Sequence, residues 1–161
     1  MIRPVKSSDV RDLVEIYNYY ILETTSTLEN EPLTVSDFAE RIKGICCNFP
    51  FIVLEEDGNI LGYAYANSFR KRYGYRFTVE TSVYVHKDHF RKKIGHQLYA
   101  QLIEQIKEKG FHRAVGVLTL PNPESVAFHE KFGFTLAGEF HHAGRKFDQW
   151  HNVGFWELKL K

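Results

Sequence analysis

The sequence predicts an α/β (α+β) domain built on a mixed, mostly antiparallel central sheet with helices on both faces. Three observations carry that expectation. Four segments repeat apolar residues at helical spacing, and seven others are short apolar or alternating runs of strand length. Their order is strand, two helices, three strands, helix, strand, helix, two strands, which neither a bundle nor a sandwich produces. No repeat, low-complexity tract or linker interrupts the chain, and 161 residues suit one hydrophobic core, so residues 1–161 are read as a single domain.

A first strand is expected at Ile2–Val5. In the first helix Val10, Leu13, Val14, Tyr17, Tyr20 and Ile21 share one face, with Ser8 or Asp9 as the N-terminal cap. The second helix runs from about Ser36 to Ile45, with Phe38, Ile42 and Ile45 inward. Phe51–Leu54 and Ile60–Tyr65 are strands joined at Asp57-Gly58-Asn59, where Asp and Gly accept the left-handed backbone of a tight turn. From Phe77 to His86, Phe77, Val79, Thr81, Val83 and Val85 alternate with Thr78, Glu80, Ser82 and Tyr84. The third helix spans Ile94–Lys109, with Ile94, Leu98, Leu102 and Ile106 at every fourth position and Gly110 ending it. Ala114–Leu120 is an apolar strand. Asn122 caps a fourth helix with Pro123 in its first position, where a missing N–H costs nothing, and that helix ends near Gly133. Strands at about Phe134–Phe140 and Val153–Leu160 finish the sheet.

Apolar residues make up 43% and aromatics 15%, enough to bury a core, so disorder is excluded as the main state. Lys and Arg number 21 against 20 Asp and Glu, a formal +1, and net charge names no polyanionic partner. The balance hides an asymmetry. Between Arg70 and His96 eight Lys and Arg meet two acids, a local +6, which leaves −5 for the rest. No helix-turn-helix or RNA-binding strand motif accompanies that basic stretch, so no nucleic acid is expected. No apolar run approaches the roughly 18 residues of a membrane span, and Met1-Ile2-Arg3-Pro4 lacks a signal peptide's apolar stretch. The adjacent Cys46 and Cys47 suit neither a disulfide nor structural zinc. His86 and His89, His141 and His142, and His151 have no carboxylate or cysteine at a strong zinc spacing, so no metal is expected. A reduced, cytoplasmic protein with no membrane partner follows.

Four places can carry chemistry. His86-Lys87-Asp88-His89-Phe90-Arg91-Lys92-Lys93-Ile94-Gly95-His96 runs from a strand through a cationic turn into a helix start. Free N–H groups and the helix dipole there suit a phosphate, although a solvated basic turn would read the same. The Gly-Lys-Ser/Thr ending of a Walker loop is missing. Glu80 is a candidate general base, or by pattern alone a polar residue on an exposed strand face. His129, on the fourth helix, either exchanges protons near neutrality or packs on the sheet. Phe69-Arg70-Lys71-Arg72-Tyr73-Gly74-Tyr75-Arg76 is basic and aromatic; an arginine there can grip a carboxylate bidentately, or the loop is simply solvated.

Taken together, several stretches resemble the GCN5-related N-acetyltransferase (GNAT) family, in particular its phosphinothricin and methionine sulfoximine/sulfone N-acetyltransferase branch. They are Ile16-Tyr17-Asn18, Gly62–Ala66, Tyr75–Val85, Asn122–Ser125, Phe128–Phe134, and Lys146-Phe147 with Trp150. The resemblance covers nearly the whole chain. The strand Thr78-Val79-Glu80-Thr81-Ser82-Val83-Tyr84-Val85 is specific to the branch, and Gly133-Phe134 is common to the wider family.

The resemblance implies a GNAT-like domain with acetyl-CoA as acetyl donor and a small-molecule amine as acceptor, an amino acid analogue of the phosphinothricin, methionine sulfoximine or methionine sulfone type. It implies backbone hydrogen bonds from Val83, Tyr84 and Val85 to the pantetheine arm. Arg91, Lys92, Lys93, Ile94, Gly95 and His96 map to the pyrophosphate loop. Asn122 maps to a further pantetheine contact, with Ser125 one turn on. It makes Glu80 the base for direct attack and His129 the acid toward the departing thiolate. Arg70, Arg72, Tyr73, Gly74 and Tyr75 would bind the acceptor beside Glu80, with Tyr17, Leu28 and Glu29 as further wall candidates, and the protein would be a homodimer. One departure stands out: Phe90, Lys93 and Gly95 occupy a Gln/Arg, Gly, Gly/Ala pattern. Lysine for glycine adds bulk where backbone must approach phosphate, and also a cation. Acetylation of a polyamine or protein N-terminus, or a catalytically silent acyl-CoA sensor, are the alternatives. The arginine-rich loop favours an anionic acceptor over a polyamine.

Overall fold

The computed structural model describes residues 1–90 and 92–161. In chain order its elements are β1 (Ile2–Pro4), α1 (Val10–Glu23), α2 (Val35–Cys46), β2 (Phe51–Glu56), β3 (Asn59–Ser68), β4 (Thr78–Val85), α3 (Ile94–Glu108), β5 (Arg113–Leu120), α4 (Pro123–Lys131), β6 (Thr135–Lys146) and β7 (Gln149–Lys159). The strands form one sheet in the order β1-β2-β3-β4-β5-β7-β6. Neighbours are antiparallel except β4 and β5, which run parallel, so the mixed, mostly antiparallel sheet is as expected.

Alternation decides which face each strand residue serves. In β2, Phe51 and Val53 join Leu13, Tyr17, Phe38 and Ile42 in a core beneath α1 and α2. Ile52 and Leu54 point the other way, into a core with Leu98, Leu102 and Ile106 of α3 and with Phe134 and Trp156. Helices therefore cover both faces, because β2 and β3 are apolar on both sides.

Local signals account for most boundaries. The Thr34 hydroxyl accepts the Asp37 N–H at 3.1 Å, so α2 begins at Val35, just before the expected start. The Asn122 side-chain oxygen accepts the Ser125 N–H at 3.1 Å and Pro123 opens α4, as expected. Asp57 and Gly58 take left-handed conformations (φ 50° and 80°) in the β2–β3 turn.

Two expectations are corrected. Neither Ser8 nor Asp9 caps α1 with its side chain; Ser7–Asp9 form a short 3₁₀ turn instead. The Asp9 carboxylate accepts the Lys6 N–H at 2.7 Å and two Arg3 guanidinium bonds at 2.8 and 2.9 Å. A buried carboxylate gains more from a charge-assisted fork than from a neutral helix N–H. The last two strands are also longer than expected, meeting at a two-residue turn, Phe147-Asp148, with φ of 50° and 59°. That turn lacks the Asn-Gly or Asp-Gly signal, and β6 is an exposed edge strand whose register slips between Phe140 and Gly144. No apolar alternation was there to read.

Arg3 also donates from Nε to Glu55 at 2.6 Å, tying β1 to β2 and to the entry of α1. Arg3 holds the Asp9 carboxyl below the usual carboxylate range, against the upward push of burial. Arg3→Met should lower stability by roughly 2 kcal/mol at neutral pH in denaturant melts. The deficit should shrink as pH falls through the Asp range, because a lowered folded-state pKa stabilises only while the carboxylate is ionised.

Candidate active site

β4 and β5 pair over three residues, Thr78, Val79 and Glu80 against Arg113, Ala114 and Val115. Past Glu80 they part. β4 stays with β3 as far as Val85, while β5 stays with β7 as far as Leu120. The wedge between them opens into a groove of about 720 Å³. Its walls are Thr81–Val85 on one side and Val117–Thr119 on the other, with the starts of α3 and α4 at its ends.

The parting leaves a strand edge open. The His86 N–H bonds the Leu61 carbonyl at 2.8 Å, so by alternation the Tyr84 peptide groups also face β3, and those of Thr81, Val83 and Val85 face the wedge. At Val85 these groups are taken. Its N–H donates to the Tyr20 hydroxyl at 3.1 Å, and that hydroxyl donates to the Val85 carbonyl at 2.8 Å. Of the three residues expected to present backbone, Tyr84 faces β3, Val85 is held by Tyr20, and Val83 faces the groove without that hydroxyl. Tyr20 went unforeseen as a groove residue; helical spacing marked it only as inward.

At the α3 end, Lys93, Ile94, Gly95 and His96 line the groove. Lys93 adopts the left-handed conformation (φ 60°, ψ 15°) that glycine would take freely, at a cost of about 1 kcal/mol for a side chain. The lysine that departs from the glycine pattern thus adopts a backbone conformation that favours glycine. Lys92 is exposed, with its ammonium 3.3 Å from His89 Nδ1, and is not on the groove wall. Arg91 lies outside the described residues. The His96 ring rests on Phe132, centroids 4.6 Å apart. His86 and His89 stand 5.4 Å apart ring to ring, and among the described residues no third ligand joins them.

On the far wall stand Asn122, Ser125 and His129. His129 is buried, its ring edge-on to Tyr99 and Phe134. Its Nδ1 lies 2.8 Å from the Ser125 carbonyl, a group that can only accept. Nδ1 therefore carries the hydrogen of the neutral ring, and Nε2 is the acceptor. Burial holds the imidazole below the usual histidine range, against the pull of that carbonyl. The ring occupies space vacated by a missing side chain, because a Cβ on Gly116 would sit 2.6 Å from Cδ2 and Nε2.

Glu80 occupies the last paired rung before the strands part. It shares a face with Ser82 and Tyr84, toward α1 and α2, and is half-buried. Burial raises its carboxyl above the usual glutamate range, and the Arg70 cation pulls it back. Arg70, Arg72, Tyr73, Gly74 and Tyr75 are exposed on the β3–β4 connection, and none lines the groove. Arg70 covers the Phe69 ring at 5.0 Å, and Arg76 covers Tyr73 at 3.9 Å.

The Tyr17 hydroxyl hydrogen-bonds the Thr27 hydroxyl at 2.9 Å and donates to Glu29. Arg41 then grips Glu29 in a fork at 2.9 and 2.7 Å. Arg41 was missed because one cation on a helix's half-exposed side has no distinguishing spacing. Lys146 belonged to the resembling motif without an assigned role, and it is buried.

Gly116→Ala should force the His129 ring off its seat and cost about 2 kcal/mol in denaturant melts. Combining it with His129→Ala should recover at least half of that loss in a double-mutant cycle.

The comparisons agree with this architecture. The family model described as "Acetyltransferase (GNAT) domain" matches residues 2–153. The chain is 36% identical over 156 residues to the phosphinothricin N-acetyltransferase of Streptomyces viridochromogenes, covering 97% of this chain and 85% of that one. It is 32% identical over 164 residues to the L-methionine sulfoximine/L-methionine sulfone acetyltransferase of Salmonella typhimurium, covering 99% and 94%. A Salmonella typhimurium acetyltransferase solved with its cofactor acetyl-CoA superposes with a TM-score of 0.97 at 31% identity, over 100% of this chain and 94% of that one. With a wedge between parallel strands, a matching family model over most of its length and relatives above 30% identity, this chain belongs to the GNAT acetyltransferase family.

Proposed function

We propose that this protein transfers an acetyl group from acetyl-CoA to the amine of a small amino-acid-like acceptor of the phosphinothricin, methionine sulfoximine or methionine sulfone type, with Glu80 as general base. It is an acetyl-CoA-dependent N-acetyltransferase, and its similarity to enzymes named for those acceptors supports the substrate class. One observation supports the mechanism: half-buried Glu80 stands on the last paired rung before β4 and β5 part, next to the Thr81–Val85 edge that lines the groove.

The residues present fit the donor. Val83 offers an extended amide chain an unpaired strand edge, as in strand addition. Lys93, Ile94, Gly95 and His96 set backbone N–H groups and a cation at a helix start, where a pyrophosphate binds well. Asn122 and Ser125 form the opposite wall. When bound, acetyl-CoA supplies a thioester carbonyl as electrophile. The Val83 N–H is oriented to donate to an oxygen in the groove.

An amine must be neutral to attack. Glu80 takes the ammonium proton directly or through a water, and burial makes it a stronger base than an exposed glutamate. The Arg70 cation favours its ionised form, and with Arg72, Tyr73, Gly74 and Tyr75 it forms the cationic rim that would hold the acceptor's carboxylate. Tyr17, Leu28 and Glu29 would close the opposite side. For His129, the resting ring is neutral with Nε2 as acceptor, and burial opposes the protonation it would need to act as acid toward the thiolate. A homodimer in the cytoplasm completes the proposal. Exposed Phe140, Phe147 and Trp150 on the β6–β7 hairpin are the apolar surface a second copy would cover.

A thiol-release assay with a panel of amines tests the substrate class. Methionine sulfoximine, methionine sulfone or phosphinothricin should release CoA, and spermidine should not. Turnover of spermidine alone would overturn the acceptor class, and acetyl-CoA binding without any turnover would make the protein a sensor.

Glu80→Gln should lower kcat by about 100-fold while calorimetric acetyl-CoA affinity stays near wild type. In the wild type, kcat/KM should rise with pH through one ionisation above the ordinary glutamate range, since the base works deprotonated. Arg70→Met removes a cation that lowers the Glu80 pKa, so this limb should move to higher pH. A limb that stays in place would remove Arg70 from that role.

A further inference from the structure

The segment from Thr24 to Thr34 joins α1 to α2 without regular structure, yet it carries part of the active-site wall. Thr24 and Ser26 line the groove, and Thr27 and Glu29 hold the Tyr17 hydroxyl. Its internal hydrogen bonds are few: Ser26 N–H to the Thr24 hydroxyl at 3.1 Å and Glu29 N–H to the Thr27 hydroxyl at 3.3 Å, while Thr24 itself donates to the Tyr20 carbonyl of α1 from its N–H at 3.3 Å and its hydroxyl at 2.9 Å. Such a segment needs an outside support to keep one conformation.

Part of that support comes from α1 and α2, through Tyr17, Asn18 and Arg41; for the first half of the segment it comes from the far edge of the sheet. Gly144 and Lys146 are two apart on β6, so they share a face, and both are buried on a strand that is otherwise largely exposed. Leu28 packs against Gly144 so closely that a Cβ there would overlap its Cδ1 methyl. Two residues on, the Lys146 ammonium donates to the carbonyls of Thr24 at 2.7 Å, Thr27 at 2.8 Å and Tyr20 at 3.4 Å. At 2% exposure, this lysine spends all three N–H donors on backbone oxygens. Two of those carbonyls belong to the irregular segment, and the third is in the last turn of α1, where a cation also suits the helix dipole.

The consequences reach both sides of the wedge. Tyr20 closes the Val85 strand edge through its hydroxyl, and its own carbonyl is a Lys146 acceptor. Thr27 links the clip to Tyr17, whose ring meets Tyr84 edge-on at 5.1 Å, and Tyr84 stands on the Glu80 face of β4. A lysine whose role was solubility would be exposed, and one that merely filled the core would not need three carbonyls.

We propose that Lys146, seated beside Gly144, is a positioning residue that clips the 24–29 segment in place and so sets the acceptor wall of the active site. This rests on the acceptor site proposed above. In the donor placement proposed above, β4, α3 and α4 supply most of the acetyl-CoA groove and the clipped segment adds only Thr24 and Ser26 at its margin, so loosening the clip should fall mainly on the acceptor.

Kinetics and hydrogen exchange of the full chain test this. Lys146→Met should raise the acceptor KM about tenfold, with kcat within about threefold and acetyl-CoA affinity within about twofold of wild type. Amide exchange should quicken at Thr24, Ser26 and Glu29 ahead of the sheet. Lys146→Arg, which keeps charge and donors, should recover part of the acceptor KM. Gly144→Ala displaces only the end of a flexible leucine, so it should fold and show the same acceptor-specific rise in smaller measure. Acceptor and acetyl-CoA constants rising together with a general loss of stability would overturn the proposal, as would unchanged exchange in the 24–29 segment. If no amine in the panel reacts, the acceptor class fails on its own, and exchange with acetyl-CoA calorimetry still decides whether the clip exists.

Discussion

Two parallel strands that part after three rungs create a demand the rest of the molecule must meet. Parallel pairing from Thr78 to Glu80 brings β4 and β5 together, and their commitments to β3 and β7 then pull them apart. Every peptide group along the parted edges must find a partner, since a buried unpaired backbone group costs about as much as a lost hydrogen bond. Tyr20 meets that demand at Val85 from α1. Val83 faces a groove instead, so one strand both holds the sheet and presents an edge for an extended ligand. Gly116 matters for the same reason, because only a residue without a side chain leaves room for the His129 ring in the wedge.

Charge is arranged around this opening. The near-neutral chain is a cationic stretch of +6 between Arg70 and His96 set against an acidic remainder of −5. Arg70 lies at the Glu80 end and Lys93 at the start of α3, on either side of the wedge. Two small anionic groups, a pyrophosphate and an acceptor carboxylate, would account for that layout without a nucleic acid. Glu80, at the apex, feels both burial and Arg70, which act on its carboxyl in opposite directions. Lys93 shows how a departure from a family pattern can be absorbed: the backbone adopts the left-handed turn at the cost of some strain, and the site gains a cation.

Much of the site was legible as residue types and little of it as geometry. Glu80, His129, Asn122 and the loop into α3 stand at positions marked by strand alternation, helix caps and a strand-to-helix turn, all local features. The residues that went unread act across long separations. Tyr20 reaches Val85, Arg41 reaches Glu29, and Lys146 reaches Thr24 and Thr27 from more than a hundred positions away. No spacing rule links such pairs. The β6–β7 hairpin was cut short for a related reason. An exposed edge strand with a register slip has no buried face to impose alternation, and Phe147-Asp148 takes a turn conformation that its residue types do not announce.

The sequence by itself determined the order of elements, the two apolar faces of β2 and β3, and the caps of α2 and α4. Each of these depends on residues within a turn or two of one another, so local sterics and periodic burial suffice. Tertiary structure alone decided that β4 and β5 part after Glu80, that Val85 is closed while Val83 is open, and that His129 is a buried neutral ring. It also decided that a lysine on the last stretch of β6 pins the segment after α1. These outcomes depend on which distant elements compete for the same backbone groups and space, and that competition exists only once the sheet has formed.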